Sequence, residues 1–236
     1  MPALIDPSSF WRGARHGLPF LLVIVPFGML FGFFGTEAGL SIAQVMGFSV
    51  LVVAGASQFT ALQLMTENAP TILVLTTALV VNLRMAMYSA ALVPHLGAAP
   101  LGWRLVLAYF NVDQTYALGH TRFEAAPDQP LSHKIGYFMG VALAVCPFWY
   151  LFTYLGAVAG ARIPPEVPLD FAVPITFLAL IAPALRTGAH IGAAVTSVIV
   201  ALALSGLPSG LGLILAALAA MIVGVRIELW QERRRG

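Results

Sequence analysis

Charge is what this sequence has least of: Lys, Arg, Asp and Glu make up 9% of its 236 residues, where a soluble domain carries about 25%. So few ionic groups cannot coat a water-facing surface around this much apolar chain. A cysteine framework is absent as well. The only cysteine, Cys146, can form no disulfide within the chain and lies in an apolar run, where it reads as a small hydrophobe. Also missing are a Gly-x-x-x-x-Gly-Lys-Ser/Thr loop, a His-Glu-x-x-His helix, a Gly-x-Ser-x-Gly turn and any run of His or Cys with metal-ligand spacing. Nucleotide-driven pumping, hydrolytic catalysis and metal or cofactor chemistry therefore have no basis in the sequence, and the expectation is a protein that is not an enzyme and carries no cofactor. Nothing resembles a channel's selectivity filter. The formal net charge of +2 sits mostly on short polar ends and offers no basic face to nucleic acid.

What the sequence does have is apolar length. Hydrophobic residues account for 59% of the chain, 15 of them Phe, and the mean hydropathy is +0.89. Apolar runs fall near residues 17–36, 40–65, 70–93, 101–119, 134–160, 169–186, 188–205 and 208–225, separated by polar or Pro/Gly-containing breaks. The fold class they predict is an all-α polytopic membrane protein of about eight transmembrane helices, seven if 101–119 does not span. It would form a single transmembrane transport domain over 1–236. Residues 1–17, with Arg12 and Arg15, have some look of a leader peptide, but the first apolar run is long enough to be retained as a helix.

The positive-inside rule favours eight spans with both termini cytoplasmic. That arrangement puts Arg12, Arg15, Arg122, Lys134, Arg186, Arg226 and the Arg233-Arg234-Arg235 cluster inside, and only Arg104 and Arg162 outside. Trp11, Trp103 and Trp230 then lie at interfaces, whereas Trp149 does not fit that pattern. Gly pairs four apart, among them Gly28/Gly32, Gly136/Gly140, Gly156/Gly160 and Gly188/Gly192, read as surfaces of close helix packing. Pro26, Pro147, Pro174 and Pro183 fall within spans, where a missing N–H predicts kinked or broken helices.

Ionisable groups inside an apolar run are costly and point to function. There are two: Arg84, in Val80-Val81-Asn82-Leu83-Arg84-Met85, and Asp113, in Phe110-Asn111-Val112-Asp113-Gln114. A third polar cluster, Ala54-Gly55-Ala56-Ser57-Gln58-Phe59, combines small residues with an amide. Counted along ideal helices from the cytoplasmic ends, Pro26, Gln58 and Asp113 come at about 9 to 14 Å, Asn82 and Arg84 at about 18 to 21 Å. A direct Arg84–Asp113 ion pair would thus be strained unless a segment is unwound. Asn82 and Arg84 lie about 200° apart around a helix, so both face one cavity only if the backbone there is irregular.

Two readings stand side by side. Arg84 and Asp113 form a folding clamp and Gln58 an interhelical hydrogen bond, or they line a transport pathway. In the second reading a free amino acid meets Arg84 with its carboxylate and Asp113 with its ammonium, or Asp113 takes up and releases a coupling proton. Ser57, Thr60, Thr76 and Thr77 read as hydroxyls bonded back to their own helix. His95, His120, His133 and His190 fall in loops or at span ends.

The runs Gly17-Leu18-Pro19, Pro26-Phe27-Gly28-Met29-Leu30-Phe31-Gly32, Ala38-Gly39-Leu40-Ser41, Ala54-Gly55-Ala56-Ser57-Gln58-Phe59, Asn82-Leu83-Arg84 and Asp113-Gln114-Thr115-Tyr116-Ala117-Leu118 occur in order over residues 13–160. Together they resemble the azaleucine-resistance (AzlC-type) family of branched-chain amino acid permeases. Met85 and Gln114 depart from the family, whose members often carry a basic or aromatic residue and an acidic residue at those two places. The resemblance implies the large subunit of an exporter of leucine, valine, isoleucine and related amino acids such as methionine. It implies residence in a bacterial inner membrane and a separate small AzlD-type partner of about four spans. An oligomer is compatible with it, and nucleic acid has no place in it. The residues it marks for testing are Pro26, Gln58, Asn82, Arg84 and Asp113, and the expected mechanism is secondary transport driven by the proton gradient. The alternatives are an accessory membrane subunit without its own pathway and a transporter of another small amphipathic solute.

Overall fold

The structure is a computed structural model and describes residues 5–162, 185, 187–206 and 211–233. It is helical throughout, with no β-strand among the described residues, as an apolar environment without water to satisfy open backbone groups requires. The chain clusters into two compact units, residues 1–165 and 166–236.

In the first unit, Asp6 caps α1 (Pro7–Gly17), its carboxylate accepting the Ser9 N–H at 2.7 Å. A short 3-10 turn over Leu18–Phe20 leads into α2 (Leu21–Glu37). Residues 7–37 thereby make one helical rod long and apolar enough to cross a membrane. α3 (Ile42–Leu51) starts at a Ser41/Gln44 capping box and ends at Val52, after which α4 (Gly55–Thr66) begins. α5 (Thr71–Leu96) is continuous. α6 (Leu101–Tyr109) and α7 (Asp113–Ala125) are separated by Phe110, Asn111 and Val112, and α8 (Leu131–Gly160) closes the unit. α5 and α8 are also of membrane-crossing length.

α8 is the spine. α1 and α2 pack along it through glycine: a methyl group at Gly13 would overlap the Tyr137 carbonyl, one at Gly32 the Thr153 carbonyl, and one at Gly156 the Met29 carbonyl. These contacts bear out Gly28/Gly32, Gly136/Gly140 and Gly156/Gly160 as close-packing surfaces. The chain's own helices occupy those faces, so they are not free for another subunit. In the second unit α9 (Gly188–Ala203) packs on α10 (Leu211–Arg233), with Gly192 lying under Ile227.

Among the described residues the predicted spans differ from these elements in two ways: the first rod starts at residue 7 rather than 17, and two runs are divided. The runs 40–65 and 101–119 are each two half-helices. α3, α4, α6 and α7 have 10, 12, 9 and 13 residues, or about 13 to 20 Å, too short to cross about 30 Å of hydrocarbon alone. The breaks do not fall at proline. α2 continues through Pro26 and α8 through Pro147, because in a long apolar helix the packing partner holds the backbone that proline leaves one hydrogen bond short. The run 169–186, with Pro174 and Pro183, lies outside the described residues apart from Leu185.

Candidate functional site

Each break is built by its sequence. At the first, the β-branched pair Val52-Val53 adopts an extended course, with Val52 at φ −128°, ψ 87°. Gly55 then opens α4 where a larger residue would press on the rings of Phe27 and Trp149. Side-chain bonding substitutes for the lost helical ladder. Gln58, fully buried, donates its Nε2 amide to the Phe48 carbonyl at 3.1 Å and also to the Val52 carbonyl. At the second break the buried hydroxyl of Thr115 accepts the Val112 N–H at 2.8 Å and donates to the Phe110 carbonyl at 2.8 Å. Asn111 donates to Ser89 Oγ on α5 at 3.1 Å. Tyr109 ties the breaks together, donating to the Val50 carbonyl at 2.8 Å and standing 3.0 Å from the Tyr150 hydroxyl.

Between the two breaks is a cavity of about 220 Å³. The first residues of α4 (Gly55, Ala56) and of α7 (Asp113, Gln114) line it, as do Arg84 from α5, Phe27 from α2 and Cys146 and Trp149 from α8. Helix N-termini present backbone N–H groups that have no partner within the helix, and the aligned peptide dipoles make that end positive. Two such ends and a guanidinium converge here. Arg84 Nη1 stands 3.1 Å from Asp113 Oδ2, with the two side chains 31% and 42% exposed. The Tyr88 hydroxyl faces the same carboxylate, and the Tyr88 ring stacks on Tyr116 at 4.0 Å.

The pair is not strained. The depth mismatch expected from straight helices disappears because the chain unwinds over residues 110–112, so that Asp113 starts a helix rather than sitting inside one. α5 itself is regular, and Asn82 therefore points away from Arg84: Asn82 lines a different cavity of about 660 Å³ between α4 and α5, together with Gln58. The structure thus brings Arg84 and Asp113 together, groups Gln58 with Asn82, and leaves Pro26 beside the first cavity, which Val23, Ile24 and Phe27 line. Ser57, Thr60 and Thr76 bond back to carbonyls of their own chain segment, as their positions in apolar helices predict.

Three polar atoms at the first cavity are enclosed without a hydrogen-bond partner: Arg84 Nε, Asp113 Oδ1 and Trp149 Nε1. Buried polar groups are normally satisfied, so a cation, an anion and a neutral donor that each leave an atom unbonded at one place mark it as a candidate polar site. Trp149, 7% exposed, is the residue that sequence reasoning missed. Its signal was there to read, since it alone of the four tryptophans fits no interface. Tyr88 had no comparable signal; a tyrosine in an apolar run is ordinary until Asp113 is found beside it.

The sequence profile of the family described as AzlC protein matches residues 19–163, which contain both breaks and all five marked residues. An uncharacterized membrane protein of Archaeoglobus fulgidus is 28% identical over 94% of this chain and 97% of its own length. One of Helicobacter pylori is 27% identical over the same shares. The inner membrane protein YgaZ of Escherichia coli is 22% identical over 74% of this chain and 72% of its own. No solved structure matches. With its helices, its membrane-crossing rods and a profile match over more than half its length, this all-α polytopic membrane protein belongs to the AzlC family.

Proposed function

We propose that this chain is the large subunit of a secondary transporter that exports branched-chain and related amino acids, with a small membrane protein as its partner. The observation that carries this reading is the part-exposed Arg84–Asp113 pair at the meeting of two helix N-termini in a cavity of about 220 Å³. Discontinuous helices that aim their N-termini at an anionic group are a recurrent way to hold a carboxylate at membrane depth.

The substrate class follows from the walls. A free amino acid's carboxylate would take Arg84 and the N–H groups of Gly55 and Ala56, and its ammonium would take the part-exposed carboxylate of Asp113. Val23, Ile24, Phe27, Val145 and Trp149 leave an apolar space for the side chain. The volume is below the about 300 to 1,000 Å³ of pockets for drug-sized ligands, which suits a solute of leucine's size. Asp113 also has the chemistry to take up the coupling proton: protonation would release it from Arg84 and change what the cavity attracts. Export and an inner-membrane setting are part of the same proposal, as are cytoplasmic termini, which the distribution of Arg and Lys supports. A structural clamp is the second reading, and the 3.1 Å distance within the pair is the observation that favours it.

Binding separates the two. Radiolabelled leucine should bind the purified chain, co-expressed with its small partner, and valine, isoleucine and methionine should displace it. Arg84→Gln should abolish that binding in protein that elutes as the wild type does. Undiminished leucine binding by Arg84→Gln would leave the pair as a clamp.

A further inference from the structure

The α5–α7 contact carries a second polar cluster, at the far end from the cavity and unused by the transport reading. His95, in the last turn of α5, pairs with Glu124, in the last turn of α7, at 2.8 Å from Nε2 to Oε1. Its side chain is only 8% exposed. His120 precedes Glu124 by four residues, so both project from one face of α7. The His120 ring lies 6.5 Å from that of His95 and stacks flat on Tyr116 at 5.3 Å and 10°. Phe123, fully buried, has its ring 5.6 Å from that of His95.

One ligand atom from each of His95, His120 and Glu124 lies within 4.8 Å of the other two. Pairing His95 with Glu124 does not account for the third member, because His120 Nδ1 is enclosed and has no hydrogen-bond partner. We infer that His95, His120 and Glu124 bind a divalent transition-metal ion of the zinc class and that the ion bridges α5 to α7.

Two imidazoles and a carboxylate suit zinc and its neighbours, whereas magnesium and calcium call for oxygen ligands. Ligand atoms about 2 Å from a tetrahedral ion stand about 3.4 Å from one another, so closure asks the outermost atom to move by at most about 1.5 Å. Side-chain rotation covers that. Three protein ligands leave a fourth position for water. The site sits about three turns along each helix from the cavity pair, His95 following Arg84 on α5 and Glu124 following Asp113 on α7. The bound ion therefore fixes the relative placement of the two helices that carry that pair. No sequence spacing announces it, since the ligands come from two helices joined through α6.

The test uses the full chain without an affinity tag, purified in detergent and stripped with a chelator. Calorimetric titration with zinc chloride should give saturable binding of one ion per chain. His120→Gln and Glu124→Gln should each weaken it by more than the about 10- to 100-fold that loss of an outer-shell partner costs, at unchanged elution volume and helicity. A second readout needs only the wild type: zinc should protect His95 and His120 from diethyl pyrocarbonate, as mapped by mass spectrometry, and leave His16, His133 and His190 reactive. Absence of saturable zinc uptake, equal affinity in both variants, or protection that omits His95 and His120 would each overturn the proposal. None of these readouts depends on transport.

Discussion

A guanidinium and a carboxylate 3.1 Å apart can hold two helices together or can wait for a ligand that replaces each with something better. The unpartnered Nε of Arg84 and Oδ1 of Asp113 argue for the second, because a clamp built only for stability closes its polar atoms on one another. Asp113→Asn and Arg84→Gln should each slow gradient-driven leucine efflux about tenfold or more, the equivalent of about 1.4 kcal/mol in a rate, with membrane expression retained. Cys146, the chain's one cysteine, borders the same cavity but is 1% exposed, so it packs there as a small hydrophobe. Arg84 and Asp113 were legible in the sequence because an ion in an apolar run is conspicuous. The His95–His120–Glu124 cluster was not, since three ordinary residues become a constellation only when α5 and α7 come together.

At the scale of the element, the two half-helix breaks depend on side chains that replace backbone bonds. Gln58→Leu keeps the volume but removes the donor to the Phe48 and Val52 carbonyls. It should cost about 0.5 to 1.5 kcal/mol for each hydrogen bond lost, since the Phe48 carbonyl still accepts the Val52 N–H and the Val52 carbonyl the Ala54 N–H, seen as a lower unfolding midpoint in detergent. The glycine contacts divide in the same way. Gly32→Ala should destabilise by about 1 to 3 kcal/mol through overpacking against Thr153. Gly47→Ala, with nothing within 4 Å of the added methyl, should be neutral or gain up to about 1 kcal/mol of helix propensity.

The cap of α1 adds a pH dependence. The Ser8 hydroxyl and the Ser9 N–H hold the Asp6 carboxyl down at about 2, below its ordinary 3.8. The folded chain therefore binds fewer protons there than the unfolded chain, and the cap's stabilisation is full above about pH 4 and fades as the pH falls toward 2. The unfolding-midpoint gap between wild type and Asp6→Ala should close over that interval. Hydropathy had located these helices well, and Asn111, Asp113 and Gln114 flagged the second break. The first break was hidden, because Val52 and Val53 are apolar and periodicity counts them as membrane span whether or not the helix continues.

At the scale of the molecule, the first unit has an apolar exterior around a small set of internal polar groups. On α5 the side chains of Ile72, Leu75, Leu79, Leu83 and Met87 are all exposed, as lipid or a membrane partner requires. The glycine faces of α1, α2 and α8 are taken within the chain, so a small partner would have to meet side chains such as these. The family was readable from motifs spread over residues 13–160 in order, and the profile match over 19–163 covers nearly the same stretch.

The most direct test of the central claim, that Arg84 and Asp113 form the substrate site of an amino-acid exporter, is efflux from cells preloaded with labelled leucine, valine, isoleucine and methionine. The chain would be expressed with and without the proposed small membrane partner, beside Arg84→Gln and Asp113→Asn. The account predicts gradient-dependent efflux with the partner present, lost in both variants at normal membrane expression. Undiminished efflux from both variants, or none of any of the four amino acids with the partner present, would contradict it.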